Sequence, residues 1–273
     1  MFKIDNLSYQ YEKKSLALNN INMDFSKGEV IGIIGSNGSG KSTLFMNLMG
    51  ILQPNQGEIT FKGNKLRYDK KSLYKFRKDV GIVFQDPEKQ IFYSKVYDDI
   101  AFALRNIGID EITIKERINK ALMDVNGLEF INKPVHFLSF GQKKRVAIAS
   151  VIAMENKVVL LDEPTAGLDP ISTRAIVDII KRLKCNNVKI VISSHDMNLI
   201  YEICDYVYVL NKGNVTNAGY TQDVFVDETK INEAGLELPW LVKVHKNMKL
   251  PLFEKEEDLY KYWSNKILIT DEP

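Results

Sequence analysis

Gly35-Ser36-Asn37-Gly38-Ser39-Gly40-Lys41-Ser42 satisfies the spacing G-x-x-x-x-G-K-[ST] in full. Glycines at 35, 38 and 40 let successive amide N–H groups turn inward around phosphate oxygens, where side chains would obstruct them. A helix starting near Lys41 adds its positive N-terminal end. In such a loop Lys41 neutralises β/γ-phosphates, Ser42 ligates Mg²⁺ and Thr43 reaches the α-phosphate region. A second chemical feature is Val158-Val159-Leu160-Leu161-Asp162-Glu163, an apolar strand ending in two acids. Set beside the phosphate-loop strand, Asp162 would hold Mg²⁺ directly or through water. Glu163, just beyond the strand, would orient and polarise water attacking a γ-phosphate. Two acids after a strand more often just cap a turn; the phosphate loop is what favours the chemical reading.

These residues need strands and helices to hold them. Ile21, Met23 and Phe25 share one face of a candidate strand, and Ile59 and Phe61 share one face of another. Between them Val30–Ile34 is a continuous apolar run that suits a strand covered on both faces. Leu44, Leu48 and Leu52 stack at helical spacing after the loop. Further along, strands are expected at Val80–Phe84, Val158–Leu161, Val188–Ser193 and Tyr206–Leu210. Helices are expected at Asn119–Asn126, Gln142–Met154, Ser172–Lys184 and Met197–Cys204. The alternation predicts an α/β sheet with helices on its faces, preceded by antiparallel strands. The pattern changes near Gly219. Residues 219–273 read as an appended C-terminal subdomain, with a helix near Glu254–Trp263 and an apolar segment at Leu236–Val244.

Composition narrows the function classes. The 273 residues are 45% hydrophobic and 26% charged, which excludes a disordered chain. Lys and Arg number 37 against 35 Asp and Glu, a net charge of +2, so no electrostatic case exists for a nucleic-acid partner. Cys185 and Cys204 are the two cysteines and suit a reducing compartment; Cys204 falls on a buried helical stripe with Met197, Ile200 and Tyr201. No apolar run approaches the roughly 18–20 residues that a membrane span requires. Work at a membrane would therefore need attachment to a protein that spans it. His136 and His245 read as structural or exposed.

Leu138-Ser139-Phe140-Gly141-Gln142 resembles the signature motif of ABC-type ATPases. Ser139 is placed to cap a helix beginning near Gln142. The resemblance covers most of residues 1–218 and implies the phosphate-loop NTPase fold of that family. Its parts are an N-terminal antiparallel β subdomain, a RecA-like core, a helical signature subdomain at about 88–155 and a small C-terminal extension. It implies ATP and Mg²⁺ as ligands, held between two head-to-tail subunits, identical or paralogous. Ser139, Gly141 and Gln142 would face the γ-phosphate of the opposite protomer. Phe140 departs from the commonest pattern, which has glycine there. Gln85 resembles the family's glutamine that senses Mg²⁺ and the attacking water, and Asp169 in Gly167-Leu168-Asp169 the loop residue that couples the two sites. On its own, the latter segment is an ordinary helix-entry turn. His195 resembles the switch histidine on the γ-phosphate. Tyr11 is the candidate to stack on adenine, with Tyr9 as rival.

Gln85-Asp86-Pro87-Glu88-Lys89-Gln90-Ile91-Phe92, followed by Asp98-Asp99-Ile100-Ala101-Phe102, resembles ATP-binding subunits of energy-coupling-factor importers. The motif with Phe140, continued by Lys143-Lys144-Arg145-Val146, is most similar to their cobalt/nickel branch. That resemblance implies an ATP-hydrolysing motor on the cytoplasmic face of the cell membrane, driving uptake of a transition-metal ion or vitamin. Its partners would be a transmembrane coupling protein and a substrate-binding membrane protein, and residues 219–273 would help hold the ATPase dimer. Ile91, Phe92 and Tyr93 would seat the membrane partner, or else pack under the helical subdomain. The alternative is a non-transport ABC ATPase of DNA repair or translation. Against it, Gly40 to Leu138 is too short for a repair-type insertion, and one set of motifs is present rather than two. A small-molecule kinase on the same loop would lack the signature helix and the switch histidine.

Overall fold

The computed structural model describes residues 1–12 and 15–270, with side chains to Lys266. Two sheets form the frame. The first is antiparallel, in the order β2-β1-β4-β5, from β1 (Phe2–Gln10), β2 (Leu16–Asp24), β4 (Gln56–Phe61) and β5 (Asn64–Lys65). The second runs β10-β9-β3-β8-β7-β6, from β3 (Val30–Ile34), β6 (Val80–Val83), β7 (Val158–Asp162), β8 (Lys189–Ser194), β9 (Tyr206–Asn211) and β10 (Asn214–Tyr220). All its pairings are parallel except β9 with β10. β3, β7 and β8 are buried along their whole length, as central strands of a sheet covered on both faces should be.

The helices are α1 (Lys41–Leu48), α2 (Lys70–Asp79), α3 (Val96–Asn106), α4 (Glu111–Asp124), α5 (Phe140–Ala153), α6 (Pro170–Cys185), α7 (Met197–Ile203), α8 (Thr221–Val226), α9 (Glu228–Glu233), α10 (Trp240–Met248) and α11 (Glu256–Thr270). One core lies between the antiparallel sheet and one face of the central sheet, with Phe2, Phe25, Ile31, Leu44 and Phe45 at its centre. The other lies on the opposite face and joins α3–α5, α6 and α7.

Several expectations shift. β7 does not lie beside β3: β8 is inserted between them, because each β–α–β crossover places its strand by long-range pairing rather than by sequence order. The Leu44–Leu48–Leu52 stack breaks, since α1 ends at Leu48 and Gly50 turns left-handed at φ 62°, where an added Cβ would lie 2.6 Å from Leu73 Cδ2. The helix expected at Asn119–Asn126 is the second half of α4, which starts earlier because Asp110 caps it by accepting the Thr113 N–H at 3.0 Å. The division expected after residue 218 falls inside β10. Val224, Phe225, Ile231, Leu241 and Val242 are buried in the same core as α6 and α7, so much of the extension packs back on its own cassette. Trp240, Tyr260 and Trp263 stay exposed.

Candidate active site

The phosphate loop is shaped by close approach. A Cβ on Gly35 would lie 2.3 Å from the Leu210 carbonyl oxygen and 2.5 Å from Ser39 Oγ. Gly40 stands at the N-cap of α1 with φ 110° and supplies no side-chain cap, which leaves the first amide groups of the helix to an anion. Lys41 Nζ donates to the carbonyls of Gly35 at 2.7 Å and Ser36 at 3.2 Å, and lies 3.7 Å from Glu163 Oε1. A cavity of about 270 Å³ is lined by Asn37, Gly38, Gly40, Lys41, Ser42, Thr43, Gln85, Glu163 and His195, together with Ala17. Loop, glutamine, acid and histidine therefore meet in one place, although they come from four separate stretches of chain.

Glu163 is the most constrained residue of the set. It follows β7 with φ 47°, in the left-handed region that costs roughly 1–2 kcal/mol for an L-residue. Its N–H donates to both Ser193 O at 3.1 Å and Ser193 Oγ at 3.0 Å. Its carbonyl accepts from Ala166 N at 3.2 Å and from the buried Lys144 Nζ at 2.7 Å. This backbone turn aims the carboxylate into the cavity, where Oε2 lies 2.8 Å from His195 Nδ1. With the proton on Nδ1, the imidazole is the donor. The Glu163 side chain is 7% exposed and that of His195 60%, so the acid is sheltered and the histidine faces out.

Other expected residues sit apart. Asp162 is buried and accepts from Ser193 Oγ at 2.5 Å; it does not line the cavity, because β8 and its Ser193 stand between β7 and β3. Tyr11 hydroxyl lies 3.3 Å from Thr43 Oγ1, whereas Tyr9 packs against the core. Ser36 lines a neighbouring cavity with His195, Gly235 and Trp240. Ser139 and Gln142 form a capping box on α5: Ser139 Oγ accepts from Gln142 N at 3.2 Å, and Gln142 Oε1 accepts from Ser139 N at 2.9 Å. Neither lines the phosphate cavity. Gly141 is buried where a Cβ would lie 2.9 Å from Ser172 Oγ. Asp169 caps α6 by accepting Ser172 N at 2.9 Å and Ser172 Oγ at 2.6 Å, and these bonds hold its carboxyl below the usual range. Signature helix and Asp169 loop thus pack together, on a surface separate from the phosphate loop.

Residues 18–166 match the family model described as ABC transporter. The chain belongs to the ABC transporter family. Its ATP-binding cassette is an ATPase, and its fold matches ABC cassettes of known structure. The chain is 45% identical over 260 residues to the cobalt import ATP-binding protein CbiO of Salmonella typhimurium, covering 95% of this chain and 96% of that one. It is 44% identical to the energy-coupling factor transporter ATP-binding protein EcfA of Methanocaldococcus jannaschii, over 85% of this chain and 84% of that one. Among solved structures, cbiO1 of Clostridium perfringens, described as part of the ABC transporter complex cbiONQ, superposes with a TM-score of 0.77 at 41% identity, over 90% of this chain and 98% of that one.

Two residues of this ABC cassette escaped sequence reading. Ser193 fastens Asp162 and Glu163, and Lys144 fastens Glu163 from the signature helix. Lys144 had a signal: it continues the Gly141, Ile148 and Val151 stripe on the buried face of α5.

Proposed function

We propose that this chain is the ATP-hydrolysing motor subunit of an energy-coupling-factor importer, taking up a transition-metal ion such as cobalt or nickel, or a vitamin, through membrane partners. Lys41 neutralises the β/γ-phosphates, and the amide groups at the start of α1 hold their oxygens. Glu163 takes the proton of the attacking water, and His195, tied to the same carboxylate, touches the γ-phosphate. Tyr11 stacks on adenine. Ser42 and Gln85 line the cavity with hydroxyl and amide oxygens that suit Mg²⁺, Asp162 behind Ser193 would act on the ion through water, and no group of three His, Cys, Asp or Glu among the described residues forms a competing site. When bound, Mg²⁺ supplies charge neutralisation at the phosphates. Ser139, Gly141 and Gln142 serve the nucleotide of a second ATPase subunit, identical or paralogous, since they lie off their own phosphate cavity.

The observation that carries the transport reading is an exposed aromatic cluster beside the nucleotide-sensing segment. No helix of the described residues is long and apolar enough to cross a membrane. Yet Phe92 is 77% exposed, Tyr93 and Phe102 each 43%, and the Tyr93 and Phe102 rings lie 5.3 Å apart. Phe92 and Tyr93 lie in the segment between Gln85 and α3, Phe102 lies within α3, and Ile91 packs inward. An apolar surface there fits a cytoplasmic segment of a membrane-spanning coupling protein, which would place this chain peripherally on the cytoplasmic face. Tyr93→Asp should lower retention of the membrane partners on purification by about tenfold and abolish ATP-dependent uptake, while basal ATPase activity stays within about twofold. A variant that assembles and transports normally would overturn this seat.

Exposed Trp240, Tyr260 and Trp263 fit a permanent contact between ATPase subunits, which would keep them together after hydrolysis. Because the extension shares its core with α6 and α7, the informative variant is a surface substitution rather than a truncation. Trp263→Glu should raise the monomer fraction in sedimentation without ATP by several-fold at unchanged melting temperature. Equal monomer fractions would remove the extension from dimerisation.

A further inference from the structure

Lys144 is fully buried, and its ammonium donates to a main-chain oxygen, the carbonyl of Glu163, at 2.7 Å. Burying a cation is unfavourable unless something compensates it. Here the carboxylates of Glu163, Asp162 and Asp86 surround it at longer range, and burial still pushes the amine down to about 8. A cation kept at that cost and aimed at a peptide group holds that peptide group in place. The group in question is the one that needs holding, because Glu163 stands in a left-handed turn at φ 47°.

The lysine stands on α5, one turn after Phe140 and three residues after Gly141. The Phe140 ring lies 5.5 Å from Lys144 Nζ, and a Cβ added at Gly167 would come within 3.5 Å of the same ring. The aromatic side chain that replaces the usual glycine thus shares contacts with the buried amine and with the loop leading to Asp169. α5 packs on α3 and α4 and also reaches β6, while Glu163 stands in the turn just after β7. Lys144 joins the signature helix to that turn with a single charge-assisted bond.

We propose that Lys144 is a positioning residue for ATP hydrolysis: it ties the signature helix to the main chain of Glu163 and holds that backbone turn, with Phe140 packed over the tie. The inference rests on the assignment of Glu163 as general base. Loss of the tie lets the carboxylate drift from His195 and from the water it must activate. Nucleotide contacts through the phosphate loop stay as they are.

Steady-state ATPase kinetics and titration with a non-hydrolysable ATP analogue test this on the full chain. Lys144→Met should lower kcat by about 10- to 100-fold, with KM and analogue affinity within about twofold. Lys144→Arg, which keeps a cationic donor, should recover much of the loss. If Lys144→Met fails to fold, Lys144→Gln, which keeps a neutral donor, should give an intermediate kcat at unchanged KM. In a Glu163→Gln background the lysine substitution should add no further loss. Wild-type kcat in Lys144→Met, or in Lys144→Gln should the former not fold, would overturn the positioning role. So would a parallel fall in kcat and analogue affinity. The separate result of a fully active Glu163→Gln would instead overturn the assignment of the base.

Discussion

Glu163→Gln should bind ATP as tightly as the wild type and turn over about 100- to 10,000-fold more slowly, the range a positioned general base contributes. The amide preserves the shape of the side chain, and its oxygen can still accept from His195 Nδ1, now 2.8 Å from the carboxylate. It cannot take a proton from water. With chemistry stopped and binding intact, ATP should hold two subunits closed, on the proposed assignment of Ser139 to the nucleotide of an opposite subunit. Light scattering with ATP and a steady-state phosphate-release assay read the two halves of the expectation. Wild-type turnover would remove Glu163 as the base.

Lys41→Ala should fail earlier in the cycle. The amine is the cation most directly held in the loop, fixed by the carbonyls of Gly35 and Ser36 and set 3.7 Å from Glu163. On the proposed assignment, removing it takes away the cation that faces the β/γ-phosphates, so turnover should fall about 100- to 1,000-fold and ATP affinity about 10- to 100-fold. Isothermal titration with Mg-ATP measures the second effect. The contrast between the variants is diagnostic: lost affinity for Lys41→Ala, retained affinity for Glu163→Gln. Unchanged affinity and turnover in Lys41→Ala would take the phosphate loop out of the mechanism.

Much of this site is legible in the sequence, and the limits have physical causes. A phosphate loop is a local object, so its glycines, Lys41 and Ser42 can be read from spacing alone. The meeting of Gln85, Glu163 and His195 with the loop is non-local, and only the family resemblance brought them together in advance. Strand order is also non-local: nothing between Val158 and Glu163 says that β8 stands between their strand and β3. Gly50 ended a helix whose leucine spacing continued to Leu52, because backbone conformation at one residue outweighs periodicity. In the extension, apolar content could not tell the buried Leu241 and Val242 from the exposed Trp240 beside them. Lys144 enters the sequence reading only within the run that continues the Phe140 motif, although its helical position points inward.

The insertion of β8 and β9 on either side of β3 also bears on how the molecule is made. The strand that carries the phosphate loop finds both its partners near the other end of the cassette; Asp205, which accepts the N–H of Glu29 at 2.8 Å, is 176 residues away. A chain emerging from the ribosome therefore exposes Val30–Ile34 with neither neighbour for most of its synthesis. Contacts of such long sequence separation slow folding and leave apolar strand edges open to aggregation. The N-terminal sheet, closed among β1, β2 and β4, can pair much sooner. Nucleotide-binding competence should thus arrive late and all at once, and a chain interrupted before β9 should be recovered as chaperone-bound or degraded material rather than as a partly active cassette.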